Sequence, residues 1–267
     1  MNPKDQNPTV SKKGRHVVVT GAGTGIGRAI ALRLASEGAI LSLLARNEER
    51  LEATASAARK DHGAEVLAAS CDIRDRDQVN ACFAALARKN GPLFALVANS
   101  GIGGPNRPGP EDRFDDILLT NVTGTYSCLR AAQKHLGPGP EPRHLVVISS
   151  ILSRIGVPAY SGYCASKAGL NGLVRALACE LAPTNVQVNA VCPGWVDTAM
   201  AWDGLDGMAQ GLRISREEAH RRAMQTVPLG RMSQPDDVAG LVSWLLSSDA
   251  RGVTGQGIDI NNGAFMA

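Results

Sequence analysis

At 267 residues, with 44% hydrophobic and 20% charged residues, the chain has the composition of a globular protein and is long enough to fill one large core. Its 28 basic and 25 acidic residues leave a formal charge of +3 and are scattered, with no lysine block interleaved with aromatics, so nucleic acid is not an expected partner. No apolar run spans a bilayer and the opening MNPKDQNPTVSKKG is too polar for a secretory signal, so we expect no membrane partner, a cytoplasmic location, a flexible tail over 1–13 and a single domain over 14–267.

The first apolar run, HVVVT at 16–20, leads directly into T-G-A-G-T-G-I-G from Thr20 to Gly27 and then into Ile26, Ile30 and Leu34 at helical spacing. Gly21, Gly25 and Gly27 let backbone approach a pyrophosphate closely, and the free N–H groups and dipole of a helix start favour its charge. A tight turn without a ligand is the alternative, but a strand before and a helix after favour dinucleotide binding. The second run, AILSLLA at 39–45, ends where this architecture places the adenosine ribose. A carboxylate there would repel a 2'-phosphate and a cation would attract it. The pair Ala45–Arg46 therefore favours NADP(H), with NAD(H) possible, unless Arg46 is only a solvated loop cation. After the third run, EVLAAS at 65–70, Asp72 is placed either to accept from the adenine amino group or to cap a helix starting near Asp75.

Four more runs follow: FALVA at 94–98, HLVVIS at 144–149, VQVNAV at 186–191 and QGIDI at 256–260. Continuous apolar character implies burial on both faces, and alternation with helical stretches such as Val238, Leu241, Val242 and Leu245 implies parallel pairing. The expected fold is α/β: a doubly wound Rossmann-type fold, with a seven-stranded parallel sheet and helices on both faces. GPGPEP at 137–142 marks a surface turn. The six cysteines form no C-x-x-C and the five histidines no H-E-x-x-H, so no metal is expected and the cysteines read as small buried hydrophobes.

The spacing G-x-x-x-G-x-G, together with Y-C-A-S-K at 163–167, resembles the short-chain dehydrogenase/reductase family over nearly the whole chain. Features in the family's order are the glycine turn, Asp72, Ala98-Asn99-Ser100-Gly101, Asn121, Ser150, Tyr163 with Lys167, and Pro193-Gly194. The resemblance implies a hydride transfer between nicotinamide and a ketone or secondary alcohol, catalysed by Asn121, Ser150, Tyr163 and Lys167. It implies dinucleotide contacts at Gly21, Thr24, Gly25, Ile26, Gly27, Arg46, Asp72, Ile73, Asn99, Gly101, Tyr163, Lys167, Pro193, Gly194, Val196 and Thr198. Val196 would meet the carboxamide, Thr198 would cover the ring and phosphates, Asn121 would hold a water linked to Lys167, and Asp197 would be merely solvated.

The chemistry accounts for these residue types. Reduction makes an alkoxide that must be protonated, and a free phenol with a pKa near 10 is poorly matched to neutral pH. Tyr163 and Lys167, four apart, share a helical face, so the ammonium should lower that pKa. Ser150, just past the fifth strand, can donate to the oxyanion, while Ser149 should point away.

Two features depart from the family pattern. Its N-N-A-G turn appears as Ala98-Asn99-Ser100-Gly101, a mild change. Where carrier-linked reductases carry basic residues near the site entrance, Glu141 and Thr184 stand here, which weighs against acyl-carrier substrates. The stretch 195–224, with Met200, Trp202, Leu205, Met208 and Leu212, reads as an apolar lid or equally as a subunit contact. Gly101-Ile102-Gly103-Gly104-Pro105 is similar to a loop of polyketide ketoreductases, which keeps a polyketide or 3-oxoacyl reductase as an alternative. Further alternatives are a non-catalytic nucleotide-binding regulatory protein and an isomerase or dehydratase. The family implies a homo-oligomer, a tetramer or dimer, through helices around 111–136 and 161–182 and the last strand, and Leu173, Val174 and Leu177 on the second helix suit either an interface or the core.

Overall fold

The structure, a computed structural model, describes residues 12–266. In chain order the elements are β1 (His16–Thr20), α1 (Gly25–Ser36), β2 (Ile40–Ala45), α2 (Glu48–His62), β3 (Val66–Ser70), α3 (Arg76–Asn90) and β4 (Ala95–Ala98). They continue with α4 (Phe114–Leu118), a π-helical turn (Leu119–Gly124), α5 (Thr125–Gln133), β5 (Arg143–Ile148) and α6 (Ser161–Leu181). Last come β6 (Val186–Pro193), α7 (Ala199–Leu212), α8 (Arg216–Gln225), α9 (Pro235–Leu245) and β7 (Gly257–Ile260). The strands form one seven-stranded sheet in the order β3-β2-β1-β4-β5-β6-β7, and every neighbouring pair is parallel.

Each expected strand is present within two residues of its expected ends. The apolar runs are continuous because both faces are covered. Along β1, Val17 and Val19 pack into one core with Ile30 and Leu34 of α1 and Val238 and Val242 of α9, while Val18 packs into the other with Phe83 of α3, Leu129 of α5 and Val174 of α6. The order reverses between β1 and β4, so the carboxyl ends of those strands open the crevice where such sheets take ligands.

Residues 1–11 of the expected tail lie outside the described residues. Lys12, within the same expected tail, is only 9% exposed; its ammonium pairs with Glu37 at 2.8 Å and donates to Ser243. The ordered body therefore begins before residue 14. Val174 and Leu177 are core residues and Leu173 packs partly against them, so their apolarity reflects folding of the single chain. Stretch 195–224 is two helices, α7 and α8, rather than an extended connection. Leu205, Ala223, Met224, Val227 and Met232 form a small core of their own, while Met200 and Leu212 are each 50% exposed.

Candidate active site

Thr20 ends β1 and ties the neighbouring strand ends together. Its hydroxyl oxygen accepts from Asn99 N and Ser100 N, both at 3.0 Å, and the Asn99 amide donates to the carbonyls of Thr20 and Gly21 at 3.1 Å. Gly21 is left-handed at φ +65, and a Cβ on Gly27 would collide with the Gly21 carbonyl and the Asn99 amide, so α1 packs against the turn only with glycine there. Thr24 caps α1 in an extended conformation without a side-chain capping bond, so its hydroxyl does not compete for the first N–H groups of the helix. Thr198, beyond β6, closes over this turn, with its methyl 3.2 Å from where a Gly25 Cβ would stand.

At the ends of β2 and β3, Arg46 is exposed and near enough to Asp72 to help hold its carboxyl below the usual range. The larger cause is Arg74, which pairs with Asp72 at 2.6 Å. Asp75, not Asp72, caps α3, accepting from the N–H groups of Asp77 and Gln78. Ile73 is buried against Gly124 of the π turn.

That turn places Asn121 beside Gly101, where a Cβ would lie 3.1 Å from Asn121 Oδ1 and 3.6 Å from Lys167 Nζ. The Asn121 side chain is committed to protein: Oδ1 accepts from Ile102 N at 2.8 Å, and Nδ2 donates to Ile102 O at 2.9 Å and Ser166 Oγ at 3.0 Å. The side chain therefore fixes the Gly101–Ile102 loop, a task that the expectation of a water ligand did not include.

Ser149 and Ser150, successive residues at the end of β5, diverge as alternation requires. Ser149 is buried and donates to the Lys167 carbonyl at 3.0 Å. Ser150 faces the crevice. Its oxygen accepts from Leu152 N at 3.1 Å, which leaves its proton free to donate, and a hydrogen bond with it pulls the Tyr163 pKa down.

Tyr163 and Lys167 share a face of α6, with Nζ 5.5 Å from the phenol ring centroid and donating to the Ile148 carbonyl at 2.9 Å. Burial outweighs the Ser150 bond and pushes the Tyr163 phenol up to about 12, while burial pushes Lys167 down to about 8. The expected lowering of the phenol pKa by the ammonium is thus not found in the protein alone, because desolvation of both groups dominates.

Pro193 ends β6 beside Ile260 of β7, Gly194 N donates to the Ile260 carbonyl at 3.0 Å, and Val196 is buried at a bridge to Ser233. Asp197 is not merely solvated: it accepts from the Trp202 indole N–H at 2.7 Å. Over the mouth, a Cβ on Gly103 would lie 3.1 Å from Met200 Sδ and 3.7 Å from Tyr163 Cε2, so Met200 of α7 and the phenol ring border the same point. Among the described residues no group of three or more His, Cys, Asp or Glu could hold a metal ion.

The family model described as enoyl-(acyl carrier protein) reductase matches residues 21–264. The chain belongs to the short-chain dehydrogenase/reductase family. It is an oxidoreductase acting on C=O and CH–OH groups. A Streptomyces coelicolor protein provisionally named a ketoacyl reductase is 36% identical over 249 residues, covering 92% of this chain and 95% of its own. The 3-oxoacyl-(acyl-carrier-protein) reductase FabG of Staphylococcus aureus strain Mu50 is 33% identical over 258 residues, covering 96% and 100%. The crystal structure of a singly substituted actinorhodin polyketide ketoreductase with NADPH superposes with a TM-score of 0.88 at 36% identity, covering 94% and 97%.

The candidate site also depends on residues that no motif marks. Ser153 donates to the Ser150 carbonyl at 2.6 Å and accepts from Asn171 at 2.8 Å, which pins the turn that presents Ser150. Asn106, buried, accepts from Gly162 N at 2.8 Å and anchors the start of α6. The only sequence signal for either is a polar residue in an otherwise apolar neighbourhood. Glu141 and Thr184 do not stand at the entrance of the site. Arg143, at the first residue of β5, donates to the carbonyls of both, at the amino-terminal edge of a sheet whose carboxyl edge carries Ser150. Within one chain they do not border the site, and their chemistry gives no reason against acyl-carrier substrates there.

Proposed function

We propose that this reductase uses NADPH to reduce 3-oxoacyl or polyketide-type ketones, with Tyr163 as proton donor. The observation that carries the reading is the meeting of the Ser150 and Tyr163 hydroxyls above buried Lys167, in a crevice roofed by Met200. When bound, the reduced nicotinamide supplies the hydride. Ser150 donates a hydrogen bond to the carbonyl oxygen and Tyr163 delivers the proton. A phenol near 12 stays protonated until that moment, and the Lys167 ammonium then stabilises the phenolate left behind.

The residues present fit the dinucleotide. Gly27 leaves room against Gly21, and the start of α1 offers N–H groups to a pyrophosphate held by Gly21, Thr24, Gly25, Ile26 and Gly27. Asp72 and Ile73 would take the adenine, Asn99, Gly101 and Lys167 the ribose side, and Pro193, Gly194, Val196 and Thr198 the carboxamide end. Exposed Arg46 would pair with a 2'-phosphate. The names of the Streptomyces and Staphylococcus relatives and the NADPH in the actinorhodin structure support the substrate class and cofactor.

Initial rates with ethyl acetoacetate, a 3-oxoacyl thioester and simple ketones, each with NADPH and NADH, test the reading. NADPH should be preferred by about tenfold or more, the scale of one charge-assisted hydrogen bond. Arg46→Asp should reverse the preference; an unchanged ratio would reduce Arg46 to a solvated cation. We further propose a cytoplasmic homo-oligomer, a tetramer or dimer, supported by the family resemblance and by exposed Ala165, Ala168, Gly169 and Ala176 on α6, small residues that permit close approach of a second helix. Light scattering during size exclusion tests it, and a monomeric mass would contradict it.

A further inference from the structure

Three residues before Tyr163 lies a second phenol that nothing in the mechanism uses. Tyr160 is half-buried, its hydroxyl makes no hydrogen bond among the described residues, and burial alone raises its pKa. The hydroxyl is therefore a donor that a ligand can take up without breaking a bond within the protein, and it lies near enough to Tyr163 for its charge to raise the pKa of that phenol.

The backbone that carries it is firmly held. Ala159, immediately before it, sits in the left-handed region at φ 63, which costs a non-glycine residue about 1 kcal/mol or more. Asn106 N holds the Ala159 carbonyl at 2.7 Å, and the Tyr160 carbonyl accepts from Cys164 N at 2.8 Å. The Tyr160 hydroxyl is 4.0 Å from where a Gly204 Cβ would stand, and the Trp195 ring is 3.7 Å from the same point. Gly204 is four residues beyond Met200 on α7, so the two occupy one helical face about 5–6 Å apart. Met200 and the Tyr163 ring thus border one point at Gly103, and the Tyr160 hydroxyl approaches α7 at Gly204, one helical turn further on. That separation is the reach of a substituent a few bonds from the reacting carbonyl.

We propose that the Tyr160 hydroxyl is a second substrate anchor, binding an oxygen other than the one being reduced, so that the site is built for ketones bearing a nearby carbonyl or hydroxyl. The assignment rests on the ketoreductase reading above and sharpens it: the Ser150–Tyr163 pair takes the reacting oxygen, and Tyr160 takes the ester, thioester or second keto oxygen along the chain. A simple ketone leaves the Tyr160 hydroxyl unmatched and binds less well.

The test compares ethyl acetoacetate with 2-heptanone, similar in length but lacking the second oxygen. Tyr160→Phe removes only the hydroxyl and keeps the ring. The ratio of kcat/KM for ethyl acetoacetate to that for 2-heptanone should fall about five- to tenfold, through KM for the ester, the scale of one neutral hydrogen bond. A loss from poor packing would lower both substrates together and keep the ratio, and that result, or no change at all, would overturn the assignment. If the wild-type enzyme reduces both ketones and the ratio survives, Tyr160 alone is misassigned. If it reduces neither with either cofactor, the ketoreductase reading has failed with it.

Discussion

The role proposed for Tyr163 rests on what surrounds it more than on its own acidity. A phenol near 12 beside an ammonium near 8 is suited to giving a proton to an alkoxide and poorly suited to starting as phenolate, which favours reduction. Lys167 is charged below about pH 8 and neutral above it, so the reduction rate should hold through neutrality and fall as pH rises through about 8. Rates measured across pH 6 to 10 check this, and a profile flat to pH 10 would exclude Lys167 as the group that stabilises the phenolate. Gly27→Ala should abolish dinucleotide binding, read by fluorescence titration, because a Cβ there collides with the Gly21 carbonyl. At this scale the meeting of Tyr163, Lys167 and Ser150 was legible in the sequence, since two share a helix and the third ends an apolar run. Tyr160 was not, because its approach to Gly204, 44 residues later, depends on where α7 packs. The sign of the Tyr163 shift was misread because burial cannot be seen from spacing.

The strands were legible because a sheet covered on both faces favours apolar runs, clearest in β1 and β4, although Gln187 and Asn189 interrupt β6 and Asp259 interrupts β7. Stretch 195–224 was not, since its apolar residues serve two ends: Leu205 enters a small core while Met200 reaches the crevice. α7 is tied to α8 by stacking of Trp202 on His220 with centroids 5.5 Å apart and by the Asp206–Arg216 ion pair, and to the end of β6 by Asp197. Trp202→Ala should loosen the hairpin, raising KM for bulky ketones several-fold while lowering Tm by only a few degrees, because this small core is separate from the sheet cores. Equal KM changes for large and small ketones would show that the hairpin does not govern substrate entry. Asn121 likewise owes its position to a π turn, which the motif T-N-V-T-G does not announce.

Across the whole molecule the candidate site lies at the carboxyl edge of the sheet, and a buried polar cluster occupies the opposite edge. His144, at the start of β5, packs edge-on against Phe94, and burial with the charges of Lys12 and Arg143 pushes its pKa down to about 3. It is neutral in the fold but protonated in the unfolded chain below 6.5, so the stability it permits at neutral pH is lost as pH falls from about 6.5 toward 3. The slope is at most about 1.4 kcal/mol per pH unit, and buried His16, also lowered by burial, acts in the same sense. Denaturant melts at pH 7, 6 and 5 should show this decline, and His144→Leu should flatten it; an unaltered slope would place the titration elsewhere. The central claim is that the Tyr163 proton completes the reduction that hydride transfer begins. Its most direct test is single-turnover reduction by Tyr163→Phe with NADPH binding measured in parallel: the variant should bind NADPH as the wild type does and turn over at least about 100-fold more slowly, and undiminished turnover in a folded, NADPH-binding variant would contradict the mechanism.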